Sequence, residues 1–184
     1  MKKVCFVIMA LTVMGYTSCS NVDNDDEDSK APTVHKPVVI IDPEARAFVN
    51  KAASAALFEI DLDRLAIKKG QDKRVKNFGN IMAKEHTKAI VKLTEIANSK
   101  KIPMPTAITA TEQKHINELL QNEGRAFDRA YMDEMAENHE EAIQLFTQAS
   151  RNLMDPELRG FAGKNVGNLK RHLDAVNMIR ASIK

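Results

Sequence analysis

An all-α fold, an up-down four-helix bundle of two antiparallel pairs with one short extra helix in the longer connection between its second and third helices, is what this sequence predicts. Three observations carry that expectation. Apolar residues recur at three- and four-residue spacing through four long windows, as on the buried face of an amphipathic helix. Asp-Pro-Glu occurs twice, at Asp42 and Asp155, and each triplet supplies an N-cap, a proline at the first helical position and an acid in the first turn. No period-two alternation of useful length appears, so strands are not expected.

Taken in order, the chain begins with Lys2 and Lys3, an apolar run from Val4 to Val13, and small or polar residues ending at Ser18. This is the layout of a secretory signal peptide over residues 1–18. Its apolar part is shorter than the roughly 20 residues that a membrane-spanning helix needs. Tyr16-Thr17-Ser18-Cys19 resembles a lipobox, with Tyr16 in place of the usual leucine, so Cys19 is the expected lipidation site. Cys5 leaves with the signal and Cys19 is then the only cysteine, which excludes a disulfide framework.

Residues 19–41 read as an acidic, disordered tether, from the run Asp23-Asn24-Asp25-Asp26-Glu27-Asp28, which has too little apolar surface to bury. The tract also resembles the export signals behind the lipidated cysteine of surface-displayed lipoproteins, and a plain spacer is the alternative. The expected location is therefore the outer membrane, reached through lipid on Cys19, with either face open, or the periplasm if Cys19 is not lipidated. From Pro43 onward the charge is about +4, dispersed and without basic residues interleaved with aromatics, so nucleic acid is not an expected partner. A protein partner in the envelope is left open, as is the oligomeric state.

The folded domain is expected over residues 42–184. Its first helix should run from Asp42 to about Gly70, with Ala45, Phe48, Ala52, Ala56, Ile60 and Ile67 inward. The second, about Asp72 to Ser99, places Val75, Phe78, Met82, Ala89, Leu93 and Ile96 on one face. Pro103 and Pro105 end it, and Thr109 with Glu112 forms a capping box that opens the short helix. The third long helix, about Arg125 to Leu153, turns Phe127, Tyr131, Met135, Ala142, Leu145 and Ala149 inward. The fourth follows Asp155 with Leu158, Phe161, Leu169, Val176 and Ile179. Met82, Met132, Met135, Met154 and Met178 read as core filler rather than thioether ligands.

Polar residues interrupt these stripes. His86 follows Met82 by four, His139 follows Met135 by four, and His172 follows Leu169 by three, while Glu59 stands three after Ala56 with Asp63 one turn on. Counted from the helix ends, the partners within each antiparallel pair differ in height by three residues, or about 4 to 5 Å. Two readings fit such a layer. Glu59, His86, His139 and His172 could ligate a transition metal (Zn, Cu, Fe or Mn), supported by Asp63, Asp128 and Tyr131. Alternatively, Glu59, Asp128 and Tyr131 satisfy the histidines by hydrogen bonds in a metal-free core. The residues three before His86, His139 and His172 are Ala83, Ala136 and Leu169, so the Glu-x-x-His pattern of di-iron bundles is missing there. Glu112-Gln113-Lys114-His115 has the spacing but lies on the short helix, where it should be exposed.

Phe48-Val49-Asn50-Lys51-Ala52-Ala53 leading to Glu59, Met82-Ala83-Lys84-Glu85-His86, Phe127-Asp128-Arg129-Ala130-Tyr131 leading to His139, and Leu169 leading to His172-Leu173 together resemble the bacterial exported family called domain of unknown function 4142. The resemblance spans roughly Asp42 to Ala181. It implies a ferritin-like bundle in the cell envelope without an established activity, and Glu85 stands where that family commonly has Asp. The expected function is a non-catalytic binding or structural module with a transition-metal site in its core. A metal-dependent redox or hydrolytic enzyme and a metal-free interaction platform are the rivals.

Overall fold

The computed structural model describes residues 42–183. The expected signal peptide, the lipidation site Cys19 and the acidic tether lie outside the described residues. Five helices follow in order: α1 Pro43–Lys69, α2 Lys73–Ser99, α3 Ala110–Leu119, α4 Gly124–Asn152 and α5 Pro156–Ser182. There is no strand among the described residues.

Local chemistry sets the ends. Asp42 and Asp155 cap α1 and α5 through their carboxylates, with proline at the first turn, and Asp72 caps α2 by accepting from the Arg74 amide. Thr109 and Glu112 form both halves of the capping box of α3. Gly124, at φ +56°, carries the chain from the turn after α3 into α4.

α1 packs on α2 and α4, and α5 packs on α4 and α2. Two apolar clusters fix the directions. One joins the start of α1 to the end of α2, the end of α4 and the start of α5, through Phe48, Leu93, Ile96, Ala149 and Leu158. The other joins the end of α1 to the start of α2, the start of α4 and the end of α5, through Leu62, Val75, Phe127 and Val176. α2 and α4 therefore run the same way, and the connection at residues 100–123 must travel the length of the bundle. One long crossover of this kind is a recognised bundle connectivity.

α3 forms part of that crossover and lies over α1 and α4. The Ser54 hydroxyl donates to Glu112 Oε1 at 2.9 Å, the Phe58 ring meets His115 at 6.2 Å, and Ile116 and Leu119 join the second cluster. Glu112 thus caps its own helix and fastens it to α1.

Three expected core residues are on the surface. Ile67 is 38% exposed because Ala66, fully buried, takes the inward position in the last turn of α1. Met154 is 81% exposed in the turn between α4 and α5, and Met178 is 68% exposed on the outer face of α5; Met82, Met132 and Met135 are buried as filler.

Asp128 is buried on α4, and its two carboxylate oxygens accept the backbone N–H of Gln71 at 2.9 Å and of Asp72 at 2.7 Å. It pins the turn between α1 and α2 to α4. Asp128→Ala should cost about 3 kcal/mol, since two charge-assisted bonds are lost and two amides lose their acceptor. A urea denaturation midpoint that falls by that amount at unchanged slope confirms it, and an unchanged midpoint refutes it.

Candidate metal centre

The two apolar clusters are separated by a layer of buried polar side chains: Glu59 and Asp63 from α1, His86 from α2, His139 from α4 and, half-buried, His172 from α5. α1 contributes both carboxylates because residues 59 and 63 are four apart and share a face. His86 reaches them because α2 lies close to α1 at Gly79, where an added Cβ would stand 3.0 Å from both Ala66 Cβ and the Asp63 carbonyl oxygen. Any larger residue there would push α2 outward.

The three imidazoles converge. Their ring centroids are 5.5 to 6.0 Å apart, and one ring nitrogen from each lies within 4.8 Å of the others. Hydrogen bonds fix which nitrogens are free. His139 Nδ1 stands 2.8 Å from the Met135 carbonyl oxygen, which can only accept, so Nδ1 carries the proton and Nε2 keeps a lone pair. His86 Nδ1 is 3.1 Å from Asp63 Oδ2, and Tyr131 donates its hydroxyl proton to Asp63 Oδ1 at 2.7 Å. Tyr131, Asp63 and His86 form a chain that orients the His86 ring and leaves its Nε2 facing inward.

Four buried atoms of the layer have no hydrogen-bond partner: His86 Nε2, His139 Nε2, His172 Nδ1 and Glu59 Oε1. Glu59 stands 3.5 Å from His86 Nε2 and 3.4 Å from His139 Nδ1. The second contact is not a hydrogen bond, because that Nδ1 proton already points to Met135 O. Each such orphan costs roughly 1 to 3 kcal/mol.

The charges are distributed unevenly. Burial pushes the Glu59 carboxyl up to about 7, against the pull of the His86 charge. Asp63 is also raised by burial, and the His86 and Tyr131 hydrogen bonds oppose this. For His86, burial works to lower the pKa, but the Glu59 charge and the Asp63 hydrogen bond outweigh it and hold the ring at about 9. Burial and then repulsion by His86 drive His139 down to about 3 and His172 down to about 4. At neutral pH His139 and His172 are thus neutral donors, while His86 is the cation between Glu59 and Asp63.

The three expected histidine ligands come together, and Glu59, the fourth, stands beside them, 3.5 Å from His86 Nε2. Of the three expected supports, Asp63 and Tyr131 touch the site through the chain just described. Asp128 does not, since both its oxygens hold the turn between α1 and α2, and Tyr131 bonds Asp63 rather than a histidine. The alternative in which Asp128 and Tyr131 satisfy the histidines by hydrogen bonds is corrected accordingly. His115 is exposed, as expected of α3, 3.3 Å from Glu134.

The fold and this layer define a helical-bundle protein with a three-histidine cluster able to hold a metal ion. The chain belongs to the family described as domain of unknown function (DUF4142), whose pattern it matches over residues 31–179. No curated protein and no solved structure matches it.

Tyr131→Phe keeps the ring and removes the proton that Asp63 Oδ1 accepts. It should destabilise the fold by about 2 kcal/mol, the cost of losing one buried bond to a carboxylate. Thermal or urea unfolding of this variant is the check, and wild-type stability would mean that the chain from Tyr131 to His86 is not formed.

Proposed function

We propose that this protein is a lipid-anchored module of the bacterial cell envelope that binds one transition-metal ion in the core of its bundle. The reading is carried by one observation: ring nitrogens of His86, His139 and His172 converge beside Glu59, and the protein supplies neither these nitrogens nor Glu59 Oε1 with a hydrogen bond. A metal-free polar layer would be expected to satisfy itself. The donor set fits a transition ion, since imidazole and carboxylate together suit Zn, Fe or Mn.

His86, His139 and His172 would hold the ion with Glu59 beside them. The partners of the ligands also fit, because metal-bound histidines ordinarily donate their other N–H to a carboxylate or a carbonyl, as His86 does to Asp63 and His139 to Met135 O. When bound, the ion would supply Lewis acidity and replace the His86 proton as the positive charge between Glu59 and Asp63. The proposed anchor is lipid on Cys19, consistent with the absence, among the described residues, of any helix long and apolar enough to cross a membrane. A ferritin-like ancestry accords with the single long crossover, although the Glu-x-x-His pairs of di-iron bundles are missing.

The test is elemental analysis of the full-length chain purified without chelators or a histidine tag. About one equivalent of metal is expected, and it should be lost in a His86→Ala, His139→Ala double variant that keeps its helical circular dichroism. His139→Leu should bind no ion while remaining folded. Metal-free wild type after loading with Zn, Fe and Mn, or unchanged stoichiometry in the variants, would overturn the proposal.

A further inference from the structure

Immediately beside the histidine layer, on the side of the first apolar cluster, the core is not filled. Ala52, Ala56, Ala89 and Ala142 face one another from three helices, and their small side chains leave a cavity of about 50 Å³. Leu93, Phe146, Phe161 and Leu169 complete its apolar wall, while Glu59, His86 and His172 form the wall it shares with the candidate metal centre. Two of the unpartnered atoms described above, Glu59 Oε1 and His86 Nε2, belong to residues of this wall that are more than nine-tenths buried.

The cavity reaches the surface between α2 and α5. Ala89, Phe161, Asn165 and Asn168 line both it and a shallower outer groove of about 520 Å³. Asn165 donates its side-chain amide to the Phe161 carbonyl at 2.9 Å, and Asn168 accepts from the Arg171 guanidinium. Two short, locally bonded amides therefore stand at the mouth.

Size and charge restrict the occupant. A water molecule needs about 10 to 15 Å³ of such space, and ordinary metabolite pockets measure roughly 300 to 1,000 Å³. A molecule of two or three heavy atoms fits, and a sugar, amino acid or nucleotide does not. No lysine or arginine lines the cavity, and the cationic ring in its wall, His86, is already paired with Glu59 and Asp63, so an anion finds no free positive charge. The apolar walls favour an uncharged guest over a strongly hydrated one.

We propose that this cavity is a binding pocket for a neutral diatomic gas such as dioxygen or nitric oxide, entered past Asn165 and Asn168 and opening onto the metal held by the three histidines. The gas-ligand role rests on the metal reading of the preceding subsection, whereas the pocket itself does not.

Two probes separate those claims. Xenon under pressure, followed in crystals or by xenon NMR of the whole chain, reports the pocket with or without metal. Nitric oxide added to the Fe(II)-loaded chain reports ligation through the paramagnetic resonance signal of an iron nitrosyl. The wild type should take up one xenon and form the nitrosyl. Ala56→Leu, which fills the cavity, should keep its iron and lose both, and Ala89→Val serves if the larger residue prevents folding. Wild type without xenon in the cavity, or an equal nitrosyl signal in wild type and an iron-loaded filled variant, overturns the proposal. If no metal is retained at all, the metal reading fails at that step, the gas-ligand role falls with it, and xenon alone decides whether the pocket exists.

Discussion

The His86 ring, held 3.1 Å from Asp63 and 3.5 Å from Glu59 inside a helical bundle, is the constraint to which the surrounding structure is fitted. A buried imidazolium and two buried carboxylates can coexist only when each has a partner, because an unpaired charge in such surroundings costs several kcal/mol. Gly79 lets α2 come near enough to make the contact, Tyr131 supplies the second donor to Asp63, and the Met135 carbonyl fixes the His139 tautomer. Three helices are positioned by one network.

That network divides the core. Apolar clusters on either side of it close the two ends of the bundle, the first continuous across four helices and the second across all five. The polar layer adds little hydrophobic stabilisation of its own, so the ends must carry the fold. Phe48, Leu93 and Leu158 do so at one end and Phe127, Leu62 and Val75 at the other, all almost wholly buried. A layer that leaves four polar atoms without partners is tolerable because stability is supplied elsewhere, and it is the arrangement expected of a site formed for a ligand rather than for stability.

The two ends are joined on the outside as well as through the core. The crossover at residues 100–123 is secured midway by Ser54 and Glu112, and Lys69 Nζ donates to the Leu120 carbonyl at 3.2 Å near its end. Lys100 meets Asp155 at 2.8 Å, tying the end of α2 to the start of α5. Between these points α2 and α5 meet along the shorter seam, and there the outer groove leads inward to the cavity.

The helices were legible in the sequence because the signals that define them are local. Asp-Pro-Glu at two starts, Thr109 with Glu112, and apolar spacing of three and four depend on neighbours within a turn or two. The coincidence of Glu59, His86, His139 and His172 was legible for the same reason, since a rise per residue counted from a helix end gives height. The sequence by itself therefore determined the class of fold, the helix limits and the level at which polar groups enter the core. Only the tertiary structure decided which atoms meet: that Asp128 serves a turn 56 residues away, that Tyr131 answers Asp63, and that four alanines counted as core leave a cavity. Helix rotation and the gap between helices are set by packing across the whole bundle, and a one-dimensional pattern does not encode the distance between two faces that both look apolar.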